Sequence, residues 1–141
     1  RRGFASTTRS TGQGAVKLTL DRMREMHEST MLMVQIESVQ GVSHAREIAS
    51  VAGVDLVFVG YADLCQDMGI TPDPDHTECA EAREQVGEAL KETGTFGSFL
   101  PRNADEAARV HRLGYDFLLC GMDRRLLATG ANALAESFVT D

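Results

Sequence analysis

Four short apolar runs recur along the chain and alternate with segments of helical periodicity. The runs have the length of strands, are rich in Leu, aromatic or β-branched residues, and lie near residues 31–37, 54–60, 96–100 and 115–121. Their near-continuous apolar character predicts strands that are buried on both faces, because strands of an antiparallel sandwich alternate more cleanly between apolar and polar residues. The pattern therefore predicts an α/β protein with a parallel sheet.

Segments with apolar residues three and four positions apart predict a helix before the first run and one after each run. These segments contain Leu20, Met23 and Met26; Val42, Ala45, Ile48 and Ala49; Ala82, Val86, Ala89 and Leu90; Ala104, Ala107, Ala108 and His111; and the stretch from Leu126 to Phe138. Gly53, Gly94 and Gly114 stand just before the next run, as expected where a left-handed residue ends a helix. The order is that of repeated βα units.

A faint internal repeat favours a symmetric architecture. The segments "GVDLVFVG" (53–60) and "GYDFLLCG" (114–121) both read Gly-x-Asp, four apolar residues, Gly. A doubly wound sheet and a (β/α)8 barrel both fit, and no GxGxxG fingerprint supports a dinucleotide-binding fold. We favour the barrel, of which four units are half. Residues 1–141 are thus predicted to be one half-barrel domain that opens with a loop over residues 1–16, although those residues also resemble a transit peptide superficially.

The composition limits the classes of function. The chain has 141 residues, 43% of them hydrophobic, and a formal net charge of −7 with scattered basic residues, which argues against a nucleic-acid-binding surface. No apolar run approaches the length of a membrane span. Three cysteines without a CxxC pair predict neither a disulfide framework nor a thiolate zinc site. We expect a soluble protein of a reducing, cytoplasmic compartment.

Two carboxylates are placed where a parallel sheet collects its functional groups. Glu37 ends the first run and Asp63 follows the second, so both are expected beyond the carboxyl ends of neighbouring strands. Two like charges that lie close together repel, and a divalent cation is one resolution. Carboxylate oxygens without His or Cys suit Mg²⁺ or Mn²⁺. The alternatives are a helix N-cap for Asp63 and a structural role for Glu37.

Other polar residues give weaker signals. Arg102 follows the third run and is interpreted either as a contact for an anionic ligand or as a solvated cation. Cys65 is interpreted as a small packing residue, and Asp55 as structural because it enters its strand at the opposite end. Neither of the two lysines, Lys17 and Lys91, lies on a predicted strand, so this chain supplies no Schiff-base nucleophile.

At "VQIESVQGV", "GVDLVFVGYADLCQDMGI" and "FLLCGMD" the sequence resembles the HpcH/HpaI aldolase and citrate lyase family, specifically its metal-dependent 2-oxo-acid aldolases. The resemblance runs essentially from the first residue to the last, and implies that the four strands are the fifth to eighth of a TIM barrel. It implies a class II aldolase that cleaves a 4-hydroxy-2-oxo acid reversibly to pyruvate and an aldehyde through a metal-stabilised enolate. The alternatives are an acyl-CoA lyase or an oxaloacetate decarboxylase on the same fold, and a truncated, non-catalytic half-barrel.

The resemblance also assigns individual residues. The family's metal ligands fall on Glu37 and Asp63, and would hold Mg²⁺ or Mn²⁺, with Co²⁺ as an alternative. Its pyruvate contacts fall on the side chain of Gln35 and the backbone amide of Ala62, and Leu100 would line the same pocket. The family's catalytic His and substrate-binding Arg belong to the N-terminal half of the barrel, so no catalytic base is expected in this chain.

Tyr61 departs from the family pattern, because "GYADL" stands where relatives usually have "GPADL". A large ring therefore lies beside the amide expected to bind a carboxylate, which puts the range of substrates in question. The partner implied by the resemblance is a small 2-oxo acid, and we expect a homo-oligomer without nucleic-acid or membrane partners.

Overall fold

The computed structural model describes residues 15, 17, 19–73 and 75–139, among which seven helices and four strands follow one another. Their bounds are α1 Leu20–Glu28, β1 Met33–Ile36, α2 Val39–Ser43, α3 Ala45–Ala49, β2 Leu56–Val59, α4 Tyr61–Asp67, α5 Thr77–Thr93, β3 Phe96–Phe99, α6 Ala104–Arg112, β4 Phe117–Leu118 and α7 Asp123–Glu136. Two compact units divide the chain, Arg1–Met31 with α1 and Leu32–Asp141 with all other elements. Apart from Ala15, the loop predicted over residues 1–16 lies outside the described residues.

The four strands form one parallel sheet in the order β1-β2-β3-β4, as the sequence predicts. Each strand is shorter than its apolar run. Only those residues whose backbone lies beside a neighbouring strand form pairs with it, before the chain continues into a helix. β4 is the shortest, since its only pairs are Ser98 with Phe117 and Phe99 with Leu118. The register fixes which residues of successive strands lie side by side.

Helices cover one face of this sheet. Ile36, Val59 and Phe99 on that face pack in one core with Val86 and Leu90 of α5. The prediction of strands buried on both faces holds for β2, whose residues are all buried or half-buried, but not at the first residues of β1, β3 and β4. Side chains alternate along a strand, so the residues at the remaining strand positions point to the opposite face. Three of them, Met33, Phe96 and Phe117, are 36–60% exposed.

The helices differ from the sequence prediction in two places. The helix expected after the first strand is divided at His44 into α2 and α3. A helix in the region of α4 was expected only in the alternative that makes Asp63 an N-cap, because its seven residues are too few to show a helical period. The three glycines before strands do have left-handed backbones, with φ of 91°, 73° and 102° at Gly53, Gly94 and Gly114. No helix among the described residues combines the length and the apolar character needed to cross a membrane.

Two of the three cysteines lie next to each other, which was not expected from their spacing. Cys65 of α4 and Cys79 of α5 face each other, with the two Cα atoms 6.6 Å apart. Both residues are buried in the packing between these helices, a proximity that sequence spacing cannot reveal. Cys120 is exposed and free. The predicted cytoplasmic compartment stays a prediction.

Candidate functional site

Two polar side chains of β1 and the residue after it lie at the same end and on the same face of the sheet. Gln35 lies in the strand and Glu37 follows it, so the two point to one face. The Nε2 amide of Gln35 donates a hydrogen bond of 2.8 Å to Oε2 of Glu37. Both side chains are exposed, so the carboxylate is accessible and its orientation is set by its neighbour.

Gly60 makes room for this pair at the end of β2. Ile36 pairs with Val59, so Glu37 lies level with Gly60, and the Gly60 amide donates to the Ile36 carbonyl at 2.9 Å. A Cβ at Gly60 would overlap Nε2 of Gln35 and lie 3.2 Å from Cβ of Glu37. The Gln35 side chain thus fills the space beside Gly60, and a side chain at residue 60 would require it to move.

α4 begins immediately after this glycine and carries Asp63. Gly60 is the N-cap, and Tyr61, Ala62 and Asp63 form the first turn. The N-cap interpretation of Asp63 is therefore wrong, although a carboxylate in the first turn is still favoured by the helix dipole. The amide of Ala62 belongs to a turn whose N–H groups find no acceptor within the helix. Residue 61 is the first helical position, where proline is common, so the proline of the family pattern that the sequence resembles would fit this backbone. Nothing in the structure explains Tyr61 at this position.

The two carboxylates fit a hard divalent cation with an incomplete protein shell. Among the described residues, no group of three or more His, Cys, Asp and Glu is arranged to hold a metal ion. Mg²⁺ and similar ions need only one or two carboxylates, because they keep several waters and accept oxygens from the substrate. Glu37 and Asp63 are both exposed and flank Gly60, Glu37 level with it in the sheet and Asp63 three residues further along the chain. The donor set thus agrees with a metal completed by solvent and substrate.

Leu100 stands at the end of β3 and is half-buried. Because Phe58 pairs with Ser98, the register places Leu100 level with Gly60. Leu100 also lines a cavity of about 650 Å³ that extends toward β4 and α7 and whose walls include Arg125 and Leu126. The residues that line this cavity include none of the four other candidates, Gln35, Glu37, Ala62 and Asp63. Gln35 and Glu37 thus lie beside Gly60 in the sheet, Ala62 and Asp63 lie in the helical turn that follows it, and Leu100 lies on the next strand.

Arg102 forms internal ion pairs. Its side chain donates to Glu106 at 3.0 and 3.2 Å and to Asp75 at 2.9 Å, and its backbone amide donates to Glu106 at 2.7 Å. Burial acts to raise the pKa of the Glu106 carboxyl, but the hydrogen bonds from Arg102 outweigh it and hold that pKa below its ordinary value. The hydrogen bond from Arg102 also lowers the pKa of Asp75. Neither sequence interpretation of Arg102 foresaw these partners.

The parallel sheet, its helices on one face and the polar residues at the carboxyl ends of its strands define the class as part of a (β/α)8 barrel. The chain belongs to the HpcH/HpaI aldolase/citrate lyase family, whose model matches residues 7–129. Membership confirms both the resemblance seen in the sequence and the predicted barrel fold.

Two curated relatives illustrate the similarity. The chain is 40% identical over 126 residues to a hydroxypyruvate/pyruvate aldolase of Delftia acidovorans, covering 89% of this chain and 46% of the relative. It is 37% identical over 118 residues to a 4-hydroxy-2-oxo-heptane-1,7-dioate aldolase of Escherichia coli, covering 84% of this chain and 45% of the relative. The chain thus spans about half the length of the curated relatives it matches.

Solved structures show the same relation. A HpcH/HpaI aldolase/citrate lyase family protein of Burkholderia cenocepacia superposes with a TM-score of 0.79 at 28% identity, over 99% of this chain and 53% of the other. The citrate synthase SbnG superposes with a TM-score of 0.75 at 30% identity, over 89% of this chain and 52% of the other.

Proposed function

We propose that this chain contributes the metal and 2-oxo-acid site of a carbon–carbon lyase that cleaves a 4-hydroxy-2-oxo acid to pyruvate and an aldehyde. The observation that carries the proposal is that Glu37 follows β1 level with Gly60 and that Asp63 lies in the first turn of the helix that Gly60 caps after β2. Membership of the family and the aldolase names of the relatives support the same reaction class.

Each residue has a distinct part in the proposal. Glu37 and Asp63 would hold a divalent cation, Mg²⁺ or Mn²⁺ with Co²⁺ as an alternative. When bound, such an ion polarises a carbonyl and stabilises negative charge that develops on its oxygen. Gln35 would contact the 2-oxo acid while orienting Glu37, the amide of Ala62 would bind the substrate carboxylate, and Leu100 would form an apolar wall.

None of the candidate site residues is assigned to proton transfer in this proposal. Glu37 and Asp63 are assigned to the metal, and Arg102 is held by Glu106 and Asp75. We therefore assign the base to a part of the protein beyond these four strands, as the resemblance implies. Tyr61 is half-buried at the start of α4 and would limit the size of the aldehyde or acid group bound there.

Cleavage of 4-hydroxy-2-oxo-heptane-1,7-dioate by the full-length protein tests the proposal. Pyruvate release should depend on Mg²⁺ or Mn²⁺, disappear after chelation and return when the metal is restored. Glu37→Ala should lose at least about 100-fold in kcat/KM, since it removes a ligand rather than a supporting group. Pyruvate release that survives chelation would contradict the proposal.

A second candidate, chemistry on citrate, is favoured by the 30% identity to the citrate synthase SbnG. The same two carboxylates would serve, because this reaction also needs negative charge stabilised on a carbonyl oxygen. Turnover of citrate or its precursors, without turnover of 4-hydroxy-2-oxo acids, would select this candidate.

A further inference from the structure

Asp67, which lies one helical turn after Asp63, links α4 to the segment that follows Glu37. Its Oδ2 accepts a hydrogen bond of 2.8 Å from the backbone amide of Val39. Val39 is the first residue of α2 and stands two positions after Glu37. A side chain of the helix that carries one proposed metal ligand therefore binds the backbone beside the other ligand.

This bond has a counterpart on the other side of Glu37. The carbonyl of Ile36 accepts the Gly60 amide at 2.9 Å, so the residue before Glu37 is tied to the N-cap of α4. Glu37 thus lies between two attachments to the β2–α4 segment. Asp63 and Asp67 are four residues apart in α4 and share one face of the helix.

We propose that Asp67 is a positioning residue of the metal site, which fixes the backbone of Glu37 relative to Asp63. The inference rests on the proposed function, because it takes these two carboxylates as the ligands. Metal affinity depends on ligands held close to their binding geometry, and loss of a group that orients a ligand typically costs 10–100-fold in affinity. A purely structural role, as a cap on α2, would lower stability alone.

Asp55 offers a matched control. Its Oδ2 accepts the backbone amide of Leu32 at 2.7 Å, so it makes the same kind of bond to the chain beside β1. Asp55 precedes β2 and Leu32 precedes β1, so this bond lies at the opposite end of the strands from Glu37. Asp55→Ala should therefore remove a similar stabilising bond without touching the proposed site.

The experiment is Mn²⁺ binding to the full-length protein, measured by titration calorimetry, with urea midpoints for every variant. Asp67→Ala should weaken Mn²⁺ binding by about 10–100-fold. Asp67→Asn should recover most of that affinity, because its amide oxygen can still accept the Val39 amide. Asp55→Ala should bind Mn²⁺ as the unsubstituted protein does.

The possible outcomes distinguish the positioning role of Asp67 from the proposed metal site on which it rests. Equal Mn²⁺ affinity of Asp67→Ala and the unsubstituted protein would overturn the role of Asp67 alone. An equal loss of affinity in Asp55→Ala would also overturn it, since general destabilisation would then explain both. Absence of Mn²⁺ binding by the unsubstituted protein would overturn the metal site itself. If Asp67→Ala fails to fold, Val39→Pro decides, because it removes the amide that Asp67 accepts at a first helical position where proline is tolerated. A loss of about 10–100-fold in Mn²⁺ affinity is the expected result, and unchanged affinity would overturn the role of Asp67.

Discussion

At the scale of single residues, Gly60 leaves the space that the Gln35 side chain occupies beside Glu37. Its backbone φ of −83° is accessible to any residue, so the need for glycine is one of space. The side chain of Gln35 occupies the volume that a Cβ would take and reaches Glu37 from there. The sequence identified Gln35 and Glu37, but the role of Gly60 could not be predicted, because it depends on the register of two strands.

Gly60→Ala should reduce activity far more than stability. The added Cβ displaces the Gln35 amide from Glu37, and we expect a loss of about 10–100-fold in kcat/KM, as for other groups that support a metal ligand. Steady-state kinetics and urea midpoints measure the two effects.

Gly130→Ala is the control, because a Cβ at this position in α7 meets nothing within 4 Å. It should leave kinetics unchanged and raise helix stability slightly, by about 0.5–1 kcal/mol. Kinetics of Gly60→Ala that match those of Gly130→Ala would contradict the spatial role of Gly60.

At the scale of elements, an ion-pair cluster fastens the loop before α5 to α6. Asp75 of the loop is paired with Arg102 and Arg109, and both arginines also pair with Glu106 of α6, whose side chain is only 2% exposed. Removing one partner of a buried charge is costly because the other is left without compensation. The cluster thus stabilises the loop structure on the carboxyl side of β3.

Glu106 and Asp75 should make stability fall at acid pH. Both pKa values are below their ordinary values in the folded protein, so their stabilisation is complete above the unfolded pKa values of about 4. It is lost as the pH falls through the folded values. Urea midpoints between pH 7 and pH 3 measure this loss.

Glu106→Gln should lower the free energy of unfolding at pH 7 by about 1–3 kcal/mol and show a smaller fall on acidification than the unsubstituted protein. Asp105→Asn, an exposed neighbour in the same turn, should keep the original pH dependence. The same pH dependence in Glu106→Gln as in the unsubstituted protein would contradict the role of the buried carboxylate.

The elements differ in how well local sequence determines them. α5 and α6 carry clear helical periods, and the strands β1 to β3 carry continuous apolar runs, so both kinds were predictable. α4 was missed because its seven residues contain barely two turns, and it begins with a tyrosine, which gives no signal of a helix start. The proximity of Cys65 to Cys79 was missed because it depends on the packing of α4 against α5.

At the scale of the whole molecule, the described strands make part of a barrel whose second sheet face carries exposed apolar side chains. Met33, Phe96 and Phe117 lie on that face. The sequence led to the correct fold because the spacing of its βα units is itself the pattern of the architecture. The sequence led to the prediction of burial on both faces because an apolar run does not show which part of a protein packs against each face. The predicted homo-oligomer stays a prediction.

The central claim is that Glu37 and Asp63 together support metal-dependent activation of a 2-oxo acid, and deuterium exchange into the methyl group of pyruvate tests it most directly. This exchange needs neither an aldehyde nor a cleavable substrate, so it isolates the proposed site from the choice of reaction. With the full-length protein, NMR should show exchange that requires Mg²⁺ or Mn²⁺ and falls at least about 100-fold in Glu37→Ala and Asp63→Ala. Exchange that proceeds without metal, or at full rate in either variant, would contradict the account.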